Sequence, residues 1–218
     1  MAILDPLPAR LLAARVIPKV AEGYAAALGL KPGMPSLGLI TADNDDALYV
    51  SIDEATKMAD VEVVYAHSFY AGSRHSSGKY SGEVIALLSG PDPAQVRSGI
   101  EAAKRYLEES ALWYSASEDG GTAFFAHVVS RIGSYLAGVT GLARGSAVAY
   151  LVAQPLEGSV GLDAALKAAA VELCTYTAPP SETNFMGAIL TGSQAACVAA
   201  AKAFRETVLD VAANPYRP

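Results

Sequence analysis

One segment of this chain occurs twice. Residues 52–63 read IDEATKMADVEV and residues 162–173 read LDAALKAAAVEL. At an offset of 110, Asp53, Ala55, Lys57, Ala59, Val61 and Glu62 recur as Asp163, Ala165, Lys167, Ala169, Val171 and Glu172. A second match sets ALLSGPDPAQV (86–96) over AILTGSQAACV (188–198) at an offset of 102. A third, weaker one pairs Val16, Ala25, Gly29 and Leu30 with Val128, Ala137, Gly141 and Leu142 at an offset of 112. Three matches in one order mean two tandem copies of one fold within 218 residues. The offset falls by eight between the first two matches, so copy one carries the longer segment there. Insertions are tolerated in loops, which places a long loop after residue 66. The copies divide the chain into residues 1–111 and 112–218.

Hydrophobic periodicity fills in one copy. It predicts a helix over 9–28, with Leu12, Val16, Val20 and Ala27 on one side and Gly29 as its stop. Leu37–Ala42 reads as a strand, Asp43–Asp46 as an Asx-rich turn, and Leu48–Ser51 as a further extended piece. Asp53 then opens a short helix to about Ala59, its carboxylate at the positive end. Val61–Ala66 and Glu83–Leu88 read as strands around a polar loop, 67–82. Pro93 starts a helix to about Glu109, since proline loses nothing at the first helical position. Copy two repeats this from about Ala123 to Ala213 with its loop at 177–186, and residues 111–122 link the copies. Strands and helices interleaved in this way predict an α+β fold, with helices packed on one face of each small sheet.

Composition narrows the function. Charged residues are 17% of the chain, against about 25% in an ordinary domain, while 52% are hydrophobic and 42 are alanine. A chain short of charged skin is expected to hide surface against copies of itself. The net charge of −6 argues against nucleic acid as the partner and suits a cationic or neutral small ligand. The first ten residues do not read as a secretory leader. Charges or prolines interrupt every apolar stretch before it could span a membrane. Cys174 and Cys197 read as buried thiols.

Few catalytic motifs survive inspection. The loop 72–80 has one residue too many between Gly72 and Gly78 for a phosphate loop. The run from Asp43 lacks the ligand and glycine that a calcium loop needs at Ala47 and Leu48. His67, His75 and His127 have no metal-like spacing. No cofactor is called for. One polar cluster stands out: Asp43, Asp45 and Asp46, with Glu83 at the next strand. Its counterparts in copy two are Ala153, Pro155 and Leu156, so the fold does not require it. Either it is a surface turn, or it is a site for a small cation. Trp113 is either a core anchor or an aromatic wall beside an ammonium group.

The repeated D-x-A-x-K-x-A-x-V-E resembles the edge helix and strand of bacterial microcompartment shell domains. SLGLITADNDD (36–46), DEATKMADVEVVYAHSFYAG (53–72), HVVSRIGSYL (127–136), AYLVAQPLE (149–157), PPSETNF (179–185) and LTGSQAAC (190–197) are similar to the EutL type of ethanolamine-utilisation shell protein. This resemblance implies two tandem, circularly permuted domains and a homotrimer resembling a hexamer. It implies a non-enzymatic tile of the shell of a cytoplasmic microcompartment, with other shell proteins and ethanolamine as partners, and without nucleic acid or membrane. By resemblance, Lys57 and Lys167 are tile-edge residues. A gated central pore is lined by His67, Phe69, Tyr70, His75, Pro179, Pro180 and Glu182. An acidic small pore for ethanolamine draws on Asp45, Asp46, Glu83, Trp113, Thr183, Asn184 and Phe185. Two other readings remain: a cytosolic regulatory protein that binds small amines, and an enzyme holding a metal among Asp43, Asp45, Asp46 and Glu83.

Overall fold

The computed structural model describes residues 1–68, 84–179 and 185–217. The first half of the chain runs β1 (Pro6–Pro8), β2 (Leu11–Ile17), α1 (Glu22–Leu28), β3 (Ser36–Ala42), α2 (Asp45–Met58), β4 (Glu62–Ser68), β5 (Val84–Gly90) and α3 (Pro93–Glu109). The second runs β6 (Leu112–Ser115), β7 (Ala123–Val129), α4 (Ser134–Thr140), β8 (Ala147–Ala153), α5 (Pro155–Ala168), β9 (Val171–Thr177), β10 (Met186–Gly192) and α6 (Gln194–Ala213).

The duplication is visible in the strand order. One sheet is ordered β2-β3-β5-β4, the other β1-β6-β7-β8-β10-β9. Without β1 and β6, the second repeats the first. The central register also repeats. Ser36 faces Gly90 and Ala42 faces Val84 in one sheet; Ala147 faces Gly192 and Ala153 faces Met186 in the other. These pairs are antiparallel, and α5 and α6 pack their apolar sides on the second sheet through Leu162, Ala165, Cys197, Ala200 and Phe204. Small residues permit this close packing. A Cβ on Gly161 would meet the Phe204 ring at 2.9 Å, and one on Gly38 would meet Val96 at 2.7 Å. The fold is the α+β duplication that the repeat implies.

The chain forms two compact units. One comprises Met1–Leu7, Leu112–Ile132 and Thr140–Pro218; the other comprises Pro8–Ala111 and Gly133–Val139. The short helix α4 thus belongs, by its packing, with copy one.

Three local expectations change. The helix expected over 9–28 is the strand β2 followed by the short α1. Pro18 explains this, because it lacks an N–H and pushes the preceding residue towards extended backbone. The segment 48–51 is helical, not extended, and Asp53 lies in the middle of α2 instead of opening it. Asn44 is the true cap: its side chain accepts from the Ala47 N–H at 2.9 Å. The linker 111–122 includes β6, which pairs with β7. Other boundaries agree closely: α3 spans Pro93–Glu109, and the repeat elements of copy two run from Ala123 to Ala213.

Candidate functional site

The acidic cluster is the first turn of α2. Asn44 caps it, and Asp45 and Asp46 follow. Carboxylates are favoured there by the partial positive charge of the helix start. Asp45 is buried, and its Oδ1 accepts from the Asp46 N–H at 2.9 Å. Asp43 is engaged by Arg10. It accepts from the Arg10 N–H at 2.6 Å and from Arg10 Nε at 3.1 Å. One turn into α2, the hydroxyl of Tyr49 bonds to Ser68 at the end of β4. Burial raises the Tyr49 pKa, and the negative field of Asp45 and Asp46 adds to this. Tyr135 lies 6.0 Å from it between ring centres, with its own pKa pushed up mainly by burial.

Further along α2, Asp53 is fully buried. Its Oδ2 accepts from the Gly133 N–H at 2.7 Å and its Oδ1 from the Leu136 N–H at 2.9 Å. Thr56 joins it: its Oγ1 accepts from the Ser134 N–H at 3.0 Å and donates to the Asp53 carbonyl at 2.8 Å. Charge-assisted bonds of this kind offset the cost of burying a carboxylate. Lys57 adds its charge 3.6 Å from Asp53 Oδ2 and pairs with Glu54. Burial, with Glu54 and Asp53 next in weight, pushes the Tyr106 hydroxyl up to about 12.

The other unit has an aromatic cluster of its own. Trp113 is buried in β6, stacked at 5.7 Å on Phe125, with Phe185 edge-on at 5.3 Å. Phe125 also stacks on His127 at 5.3 Å and meets Tyr150 edge-on at 5.8 Å. Trp113 is therefore packed in an aromatic cluster, and a guest could meet only what that cluster leaves uncovered.

The remaining expected residues separate. Lys167 is exposed and pairs with Asp163 at 2.6 Å. His67 lies within β4 and not in the loop that was expected to start there. Pro179 ends the described part of the second loop. Phe69, Tyr70, His75, Glu83, Pro180, Glu182, Thr183 and Asn184 lie outside the described residues. Among the described residues, no three His, Cys, Asp or Glu side chains converge as metal ligands, and no helix is long and apolar enough to cross a membrane.

Sequence reasoning missed Tyr49, Tyr135 and Phe125, and it misread Asp53. The only signal for Asp53 was its recurrence in the repeat, and that recurrence could not reveal a partner some eighty residues downstream.

Comparison with known proteins agrees with this architecture. The BMC domain family matches residues 36–117. The bacterial microcompartment shell protein EutL of Salmonella typhimurium is 53% identical, covering 100% of this chain and 99% of its own length. That of Escherichia coli is 52% identical over the same shares. The crystal structure of the ethanolamine utilization protein EutL from Leptotrichia buccalis superposes with a TM-score of 0.96 at 49% identity, covering 100% of both chains.

Proposed function

The chain belongs to the EutL family of bacterial microcompartment shell proteins, and from that premise we propose that it forms trimeric tiles that bind or pass ethanolamine. Residues 1–111 and 112–218 are the two shell domains of each subunit, six domains to a tile. The role is structural and selective, with no bond made or broken. Selection works through pore size and electrostatics. The loops bearing Phe69, Tyr70 and His75 in copy one, which His67 precedes at the end of β4, and Pro179, Pro180 and Glu182 in copy two, gate the central opening. Lys57 and Lys167 contact neighbouring tiles and other shell proteins in the microcompartment wall.

One observation carries the amine reading: the acidic turn at Asp45 and Asp46 exists in copy one and is Pro155 and Leu156 in copy two. Both are helix starts, so the carboxylates are additions to a helix that forms without them. With Glu83, they attract an ammonium and accept from a hydroxyl. Trp113 and Phe185 offer aromatic surface to an ammonium, and Thr183 and Asn184 offer hydrogen-bonding groups.

The test is titration calorimetry with ethanolamine on the wild type and on Asp45→Asn with Glu83→Gln. Binding that weakens at least tenfold in the variant supports the site, and equal affinity sinks it. Replacing Lys57 and Lys167 together by alanine is expected to reduce sheets seen by electron microscopy while sedimentation still finds the trimer. A wild-type chain that sediments as a monomer or dimer would favour the regulatory protein over the tile.

A further inference from the structure

One cleft between helix and strand occurs in both copies with different chemistry. In copy one it holds about 220 Å³ and is lined by Ala14, Arg15 and Val16 of the edge strand β2 and by Arg97, Ile100 and Glu101 of α3. In copy two it holds about 330 Å³. Its strand is β7, which repeats Ala14 and Val16 as Ala126 and Val128. Counted from the caps Asp92 and Ser193, α6 sets Val198, Ala201 and Lys202 where α3 has Arg97, Ile100 and Glu101. The exchange of isoleucine for alanine opens space. The exchange of Glu101 for Lys202 removes the acid, and Arg205 adds a second cation one turn after Ala201.

The strand side differs too. β7 is not an edge: β6 pairs beyond it and brings Tyr114 into the lining, stacked on Phe124 at 6.0 Å. Phe124, Ala126 and Val128 are alternate residues of β7, so they share one face. Across from them, Val198 is apolar and still 52% accessible. Among the described residues, no Asp or Glu lines this cleft. Lys202 meets Glu206 at 3.8 Å with both side chains more than half exposed, a pairing of little strength. In a chain of net charge −6, an apolar cleft rimmed by two cations selects for an anion. Its volume falls at the lower end of small-molecule clefts, roughly 300–1,000 Å³.

We propose that the copy-two cleft binds a small organic anion, a carboxylate or phosphate monoester carrying an apolar ring or chain. The apolar body lies against Phe124, Ala126 and Val128. Arg205 and Lys202 hold the acid group, the guanidinium by paired N–H groups and the ammonium as a point charge. This cleft lies in a different unit from Asp45 and Asp46 and carries the opposite charge. The protein would then recognise an anion as well as an amine, at separate places.

The experiment titrates phenyl phosphate into the full chain with labelled methyl groups, followed by NMR and calorimetry. Benzyl alcohol and inorganic phosphate serve as its apolar and anionic halves. Saturable shifts are expected at Val128, Val198 and Ala201, and none at Val16 and Ile100. Lys202→Gln with Arg205→Gln should weaken binding about tenfold. Both residues are exposed, so the circular dichroism melt should not move. Val198→Glu puts an acid at the rim and should weaken binding further. Asp45→Asn with Glu83→Gln should bind phenyl phosphate as the wild type does, which separates this site from the amine site. No saturable shift, equal shifts in both clefts, benzyl alcohol binding as tightly as phenyl phosphate, or undiminished affinity in the Lys202, Arg205 variant would each overturn the proposal.

Discussion

Helices α2 and α5 begin at equivalent positions, have equal length and share D-x-A-x-K, yet they do different work. In α2 the aspartate is buried and holds two N–H groups of a segment eighty residues away. In α5 it pairs with the lysine one turn on, in solvent. The lysines differ in the same sense: the side chain is 23% accessible at Lys57 and 74% at Lys167. The same residues at the same spacing therefore carry different energies. The difference lies in what covers them, because an ion pair in water contributes little and a buried, hydrogen-bonded carboxylate is costly to remove. Duplication supplied one helix twice, and the surroundings made one copy an internal anchor and left the other outward-facing.

The sharpest way to break the comparison is to remove each aspartate. Asp53→Ala should cost about 3 kcal/mol, because it orphans the Gly133 and Leu136 donors and leaves Lys57 without its buried partner. Asp163→Ala should change the stability of the single chain by under about 0.5 kcal/mol. Urea unfolding across a range of protein concentrations checks both, since loss of association shows as concentration dependence. Equal costs would mean that the two helices are not differently used.

Gly133→Ala should cost about 2 kcal/mol, because the new methyl meets Thr56 and the Asp53 backbone, where copy one already carries Ala21. Gly138→Ala is the control, since nothing lies within 4 Å of its added Cβ. The helix starts give a smaller contrast. Asn44→Ala removes a side-chain cap and should cost about 1 kcal/mol. Gln154 makes no such cap on α5, so Gln154→Ala should lose only its bonds to Ala123 and Gly121. Thermal melts of both variants would show whether the capping difference is real.

The smallest effect is invisible at neutral pH. Tyr106 is held protonated to about 12. Its contribution is complete below the ordinary tyrosine value near pH 10 and fades as pH rises through 12. Tyr49 and Tyr135, also raised, lie in the same unit. Alkaline unfolding should therefore start in that unit. Tyr106→Phe should flatten the loss of stability between about pH 10 and 12, and an unchanged alkaline profile would count against burial as the cause.

What could be read from the sequence was what local chemistry decides. Pro93 marked the start of α3, and the structure adds the cap just before it, the Asp92 side chain accepting from the Ala94 and Gln95 N–H groups. The central strands followed from apolar runs, and the repeat implied the matching sheet order. The errors came where two local signals competed. In 9–28, spaced leucines and valines suggested a helix, although Pro18 interrupts it. At Asp53, a good capping residue drew the helix start eight residues late. At Trp113, the composition of a linker hid a strand whose tryptophan packs on Phe125.

The sequence by itself determined that the chain is one α+β unit twice over, that its acid is lopsided, and which family it joins. These are properties of residue order, and duplication leaves them legible as recurrence. Only the tertiary structure decided what each recurring residue does. Burial and partners are set by chain segments remote in sequence. Asp53 became an anchor because Gly133 and Leu136 fold back over it, and Asp163, within the same D-x-A-x-K, is exposed because no described segment of its own chain covers it.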